Sequence, residues 1–122
     1  MKYTYEAGLE GEALAERWLS SEHGMTCLER RFRSRTGEID LIMQDRDTIV
    51  FVEVKTRRTG DPGLGLMAIN RSKIRRITAT ARFYLMKTGR NNVSCRFDCV
   101  EVFRGEILYI PNAFQPGGMF FH

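Results

Sequence analysis

Glu38, Asp40, Glu53 and Lys55 are the residues whose types and spacing point most directly to chemistry. They sit in two stretches, Gly37-Glu38-Ile39-Asp40-Leu41-Ile42 and Phe51-Val52-Glu53-Val54-Lys55, each of which reads as a strand. Strand side chains alternate faces, so Glu38 and Asp40 share one face while Ile39, Leu41 and Met43 share the other. In the second stretch Glu53 and Lys55 share a face with Ile49 and Phe51, opposite Val50, Val52 and Val54. A hairpin closed by residues 44 and 49 around a four-residue loop, 45–48, sets Asp40 opposite Glu53 and Glu38 opposite Lys55. Directly opposed residues have Cβ atoms roughly 4.5–5.5 Å apart, so one even-length loop gathers three carboxylates and one ammonium.

Carboxylates held that closely repel and raise one another's pKa unless a cation neutralises them. Lys55 offsets part of the charge. A hard divalent cation such as Mg²⁺ suits the remainder, because it takes carboxylate oxygens and keeps several waters. Such an ion activates a water and binds a phosphate oxygen. Lys55 would orient the attacking water or stabilise charge developing on the phosphate. The spacing therefore predicts the layout of a metal-dependent phosphodiesterase. The plainer alternative is a solvated strand face with weak cross-strand ion pairs.

The distribution of charge agrees with a phosphate-bearing partner. The net charge is +4, but residues 30–96 hold sixteen basic and six acidic side chains, while the flanking segments are acidic. Fifteen of the nineteen cationic residues are Arg, whose planar fork binds phosphate bidentately. A middle segment this basic suggests a polyanion, with nucleic acid the leading candidate; a well-solvated basic surface is the bland reading.

The elements that must position these groups follow from periodicity. Residues 4–22 read as a helix with Gly11, Leu14, Ala15, Trp18 and Leu19 on one stripe and Gly24 as its stop. Strands are expected at Met25–Phe32, Ile39–Met43 and Thr48–Lys55. A loop at 56–70 precedes a second helix, capped by Ser72 and running to Thr88-Gly89, with Ile74, Ile77, Ala81, Tyr84 and Leu85 as its apolar stripe. Two more strands, Cys95–Phe103 and Glu106–Pro111, meet at a turn at Arg104-Gly105. The order is α-β-β-β-α-β-β: an α/β fold, a small mixed sheet with a helix on each side. With 122 residues, 43% of them apolar, and a mean hydropathy of −0.32, one domain spanning 1–122 is expected. No apolar run approaches the roughly 18 residues of a membrane span. The odd cysteine count suits a reducing, cytoplasmic setting.

Gly37-Glu38-Ile39-Asp40-Leu41-Ile42 followed by Phe51-Val52-Glu53-Val54-Lys55-Thr56-Arg57 closely resembles the YraN-type family of endonuclease-like proteins. That family belongs to the PD-(D/E)xK, restriction-endonuclease-like superfamily and is distantly similar to archaeal Holliday junction resolvases. Gly8-Leu9-Glu10-Gly11-Glu12 resembles the opening of the family's first helix, and Lys73 the lysine opening its second. The resemblance implies that Asp40 and Glu53 bind the metal with the Val54 carbonyl, that Lys55 is the catalytic lysine, and that Glu12 is an additional acid. Glu38 is an accessory acid or a structural one. Arg57, Arg58, Lys73 and Arg76 are candidates for nucleic-acid contacts. Two positions depart from the family pattern: Arg31 stands where Asn is expected, and Leu64 where an aromatic precedes Gly65.

The leading expectation is thus a Mg²⁺- or Mn²⁺-dependent DNA endonuclease acting on branched or recombination intermediates. The alternatives are a nucleic-acid-binding module of the same fold without cleavage, and an RNA-directed nuclease. Duplex or junction cleavage needs two sites, so a homodimer, weak or formed on DNA, is expected, and the apolar Met119-Phe120-Phe121 would pack either on its own sheet or on the second chain. Cys95-x-x-x-Cys99 lacks the second ligand pair a zinc site requires.

Overall fold

The computed structural model describes residues 5–67, 69–90 and 92–115, so the Met119–Phe121 segment lies outside the described residues. Its elements are α1 (Tyr5–His23), β1 (Thr26–Ser34), β2 (Gly37–Asp45), β3 (Thr48–Arg57), α2 (Leu64–Met67), α3 (Arg71–Lys87), β4 (Ser94–Phe103) and β5 (Glu106–Phe114). The five strands form one sheet in the order β1-β2-β3-β4-β5. Only the β3–β4 pair is parallel, and its strands are joined through α2 and α3, the crossover that a parallel pair needs. The predicted α/β architecture is therefore the observed one, with α2 as a single added turn inside the loop expected at 56–70. No described helix is long and apolar enough to cross a membrane.

The central strand β3 is dense in β-branched and aromatic residues and is buried from Ile49 through Glu53 and Val54. Its alternate residues feed two cores. Val50, Val52 and Val54 meet Ala15 and Leu19 of α1, with Leu41, Met43 and Val100. Ile49 and Phe51 meet Ile77, Ala81, Tyr84 and Leu85 of α3, with Ile39, Ile42 and Phe97. Each fully buried side chain of this size stabilises the fold by about 1.5–3 kcal/mol relative to exposure. Gly24, at φ 68°, ends α1 by turning the chain so that its N–H donates to the Ser20 carbonyl and that of Met25 to Leu19.

Three local expectations are corrected. The β2–β3 turn is two residues, Arg46-Asp47, with Asp45 paired to Thr48; the loop is shorter than four residues but still even, so the register from Leu41–Val52 to Asp45–Thr48 is the expected one. Asn70 rather than Ser72 caps α3, its Oδ1 accepting from the Lys73 N–H at 2.9 Å. Ser72 sits inside the first turn and accepts from Arg76 Nη1 at 2.8 Å. Finally, Ile39 packs with the α3 core while Leu41 and Met43 pack with the α1 core, so side-chain alternation along β2 fails between them.

Candidate active site

That failure of alternation builds the site. On β1, Arg30 pairs with Leu41 and its guanidinium reaches Glu16 of α1 at 2.6 Å, whereas Phe32 pairs with Ile39 and contacts Tyr84 of α3. Residues two apart on a regular strand would share a face. Arg31 lies between them at φ 53°, a left-handed conformation that turns the strand. Across from it, the β2–β3 ladder ends at Leu41–Val52. Asp40 therefore does not form the ladder pair with Glu53 that the register extrapolates to. Instead its Oδ2 accepts from the Val54 N–H at 2.8 Å, so a carboxylate takes the place of a backbone carbonyl.

The fork so opened is a cleft of ≈ 450 Å³ lined by Glu38 and Asp40 from β2, Glu53, Val54 and Lys55 from β3, Glu12 from α1, and Lys73 and Arg76 from α3. Glu53 is 6% exposed. Its Oε2 meets Lys55 Nζ at 3.3 Å and also the ammonium of Lys73. Burial pushes the Asp40 carboxyl up to about 8, and the charge of Glu53 beside it adds to the effect; the Val54 N–H works the other way. Burial also raises Glu12, countered by Arg31 and reinforced by Glu38 and Glu53. Lys73 loses basicity through burial, but the Glu53 carboxylate outweighs this and holds it above its ordinary value.

Asp40, Glu53, Lys55, Glu12, Val54, Lys73 and Arg76, all singled out by sequence, thus line one cleft. Glu38 is there too, but not opposite Lys55. It forms ion pairs with Arg33 at 2.5 Å and Arg31 at 3.7 Å, on the rim. Arg57 and Arg58 lie beyond this cleft, lining a neighbouring one. The Arg57 guanidinium donates to the carbonyls of Asp61 and Thr59, both at 2.8 Å, and lies 3.6 Å from Glu101. These bonds tie it to the loop before α2.

Sequence reasoning noted Arg31 only as a departure from a pattern. Its guanidinium stands 3.8 Å from Glu12 and 3.7 Å from Glu38 and covers the Tyr5 ring, with Nε and Nη1 buried and lacking hydrogen-bond partners. No sequence signal marks that placement, because it depends on the backbone turn at Arg31 itself.

Among the described residues no three histidine, cysteine or acidic side chains are arranged as a ready metal cage. The donors present are Asp40 and Glu53, hard oxygens from two carboxylates. That set fits Mg²⁺, which binds through one or two carboxylates and retains water. Cys95 and Cys99 are free thiols pushed up by burial to about 11 and about 12, so neither is a thiolate at neutral pH.

Comparison with known proteins identifies the family of the chain. The model of the family described as "Uncharacterised protein family UPF0102" matches residues 11–102, a span that includes both strands of the cleft. A UPF0102 protein of Persephonella marina is 40% identical over 113 residues, covering 93% of this chain and 97% of that one. Another, of Saccharophagus degradans, is 42% identical over 110 residues, covering 89% and 92%. A third, of Desulfosudis oleivorans, is 45% identical over 95 residues, covering 78% and 76%. With its fork of acidic and basic residues lying inside the matched span, this chain belongs to the UPF0102, or YraN-type, family.

Proposed function

We propose that the protein is a DNA endonuclease that hydrolyses phosphodiester bonds with Mg²⁺ or Mn²⁺. The observation that carries this is the Asp40 carboxylate, held by the Val54 N–H in contact with Glu53, whose Oε2 also meets the ammoniums of Lys55 and Lys73. Asp40, Glu53 and the Val54 carbonyl would hold the cation. When bound, it supplies Lewis acidity toward a phosphate oxygen. Glu53 holds the Lys55 ammonium at the cleft, where its charge stabilises the pentacovalent phosphate. Glu12 closes the α1 side, and Lys73 and Arg76 receive the phosphate backbone from the α3 side.

Purified protein incubated with linear, flapped and four-way DNA, with and without Mg²⁺ or Mn²⁺, tests the reading. Cleavage that needs the ion and is lost in Asp40→Asn supports it, and unchanged calorimetric binding of Mn²⁺ in Asp40→Asn and Glu53→Gln would refute the site. Branched DNA is the proposed preference. One cleft cuts one strand, so a two-fold pair of chains on a junction is the simplest arrangement for symmetric cleavage, and sedimentation of the complex measures it.

One observation favours a second reading. Two ammoniums already sit on Glu53, which neutralises it without a metal. A module that binds DNA without cutting it would keep this arrangement, and would show DNA affinity with no divalent-ion binding.

A further inference from the structure

A second cleft, also of ≈ 450 Å³, lies on the far side of the contact between α1 and β3. Its wall is apolar, formed by Ala7, Gly11 and Leu14 of α1 and Val102 of β4, and its rim carries Arg58 and Arg104. Thr56 lines both this cleft and the candidate active site. We infer that this second cleft binds one unpaired nucleotide of the strand being cut, its base against the apolar wall and its phosphate on the arginine rim. The inference rests on the nucleic-acid partner proposed above.

The cleft is shaped by backbone features. Gly11 lets α1 approach β3 so closely that a Cβ there would lie 1.9 Å from Thr56 Oγ1, and this contact separates the two cavities. At the other edge the β4–β5 turn, Arg104-Gly105, has φ of 52° and 82° at its two residues. Arg104 is fixed at the rim by its N–H to the Arg57 carbonyl at 3.2 Å and its Nε to the Arg58 carbonyl at 2.9 Å.

The occupant's chemistry follows from the lining. An apolar wall gives nothing to a bare inorganic anion, and a guanidinium rim gives little to a neutral apolar ligand. A nucleotide satisfies both, with a flat hydrophobic face and one phosphate. Glu10, also on the lining, repels a phosphate and accepts from base amino groups, which orients the base toward α1 and the phosphate toward Arg104. A stacked, paired base cannot enter. Unstacking costs least in a strand that is already single, so the cleft favours flaps over plain duplex. Position agrees as well: at about 3.3 Å per residue along β3, Thr56 lies about 10 Å from Glu53, within reach of a nucleotide neighbouring the scissile phosphate.

The test is equilibrium binding of fluorescent DNA in EDTA, where no cleavage intervenes, comparing a flapped substrate with blunt duplex of equal length. The parent protein should prefer the flap by about tenfold, the scale of engaging one base. Ala7→Trp, which fills the cleft, and Arg104→Ala, which removes the rim charge, should each bring the ratio toward one. Unfolding midpoints check that both variants fold, and Arg104, on an exposed turn, serves if Ala7→Trp does not. A parent ratio of one, or a ratio kept in a folded variant, would overturn the inference. The nuclease reading fails separately: if no divalent ion binds and nothing is cut, yet the flap preference is present and lost in the variants, the nucleotide cleft stands alone.

Discussion

Asp40 is the residue on which both the chemistry and a measurable cost converge. Its carboxyl titrates near 8 in the fold against an ordinary value of 3.8, because burial and Glu53 disfavour its charge. Between those two values the folded state binds more protons than the unfolded state, so stability falls as pH rises from about 4 to about 8 and stays low above that. Denaturant unfolding across this range without divalent ions should show that decline, and Asp40→Asn should flatten it. A parent curve that rises or stays flat would place Asp40 in a different electrostatic setting. Lys55 gives a second prediction. Lys73 still neutralises Glu53 when Lys55 is gone, so Lys55→Ala should fold normally, lose cleavage by orders of magnitude and bind DNA only modestly more weakly. Equal cleavage rates would remove Lys55 from the mechanism.

At the scale of elements, the site depends on how closely α1 lies against β3. Gly11 is buried at that contact, and Ala in its place would meet Thr56 Oγ1 at 1.9 Å. Gly11→Ala should therefore destabilise the protein by about 1–3 kcal/mol, the usual range for overpacking. It should also move Glu12, the next residue, out of the cleft. Thr56→Ala combined with Gly11→Ala should recover much of the loss, and a double-mutant cycle with no coupling would show that the two side chains do not oppose one another. The loop at 58–63 and α2 are held from the other side by Glu101, which is fully buried and accepts from the Gly63 and Gly65 N–H groups, the latter at 2.7 Å. Glu101→Gln should replace one accepting oxygen by a donor, and amide exchange at Gly63 and Gly65 should speed up while the core strands keep their protection.

At the scale of the whole molecule, the arginines of the basic middle segment divide by what they touch. Arg57 is spent on Asp61, Thr59 and Glu101, and Arg31 on Glu12 and Glu38. Lys73, paired with Glu53, and Arg76, bonded to Ser72, line the candidate active site, and Arg58 lines the adjoining cleft. DNA affinity should fall with salt at a log–log slope of about −0.9 per neutralised phosphate. Neutral replacement of Arg58 and Arg76 should make the slope shallower, whereas Arg57→Ala should leave it unchanged and lower the unfolding midpoint. A slope altered by Arg57 alone would reverse this division.

Periodicity alone marks the α-β-β-β-α-β-β order, the two apolar stripes and the β2–β3 register, because hydrophobic alternation and an even turn are local properties of the chain. Strand spacing and turn parity brought Asp40, Glu53 and Lys55 to one neighbourhood in the sequence, but as a cross-strand pair that does not form: the ladder ends at Leu41–Val52 and Asp40 accepts from the Val54 N–H instead. Other features of the site have no local signature. The left-handed turn at Arg31 and the strand separation beyond Leu41 come from β1 and β2 each serving a different helix on either side of one point. Lys73 meets Glu53 only because α3 packs across β3, and Arg57 is tied down only because Glu101 of the neighbouring strand is buried beside it. Such contacts join residues tens of positions apart in the chain. They are set by how helices seat on a twisted sheet, so it is the tertiary packing that decides which carboxylates share a cleft and which arginines remain to face a substrate.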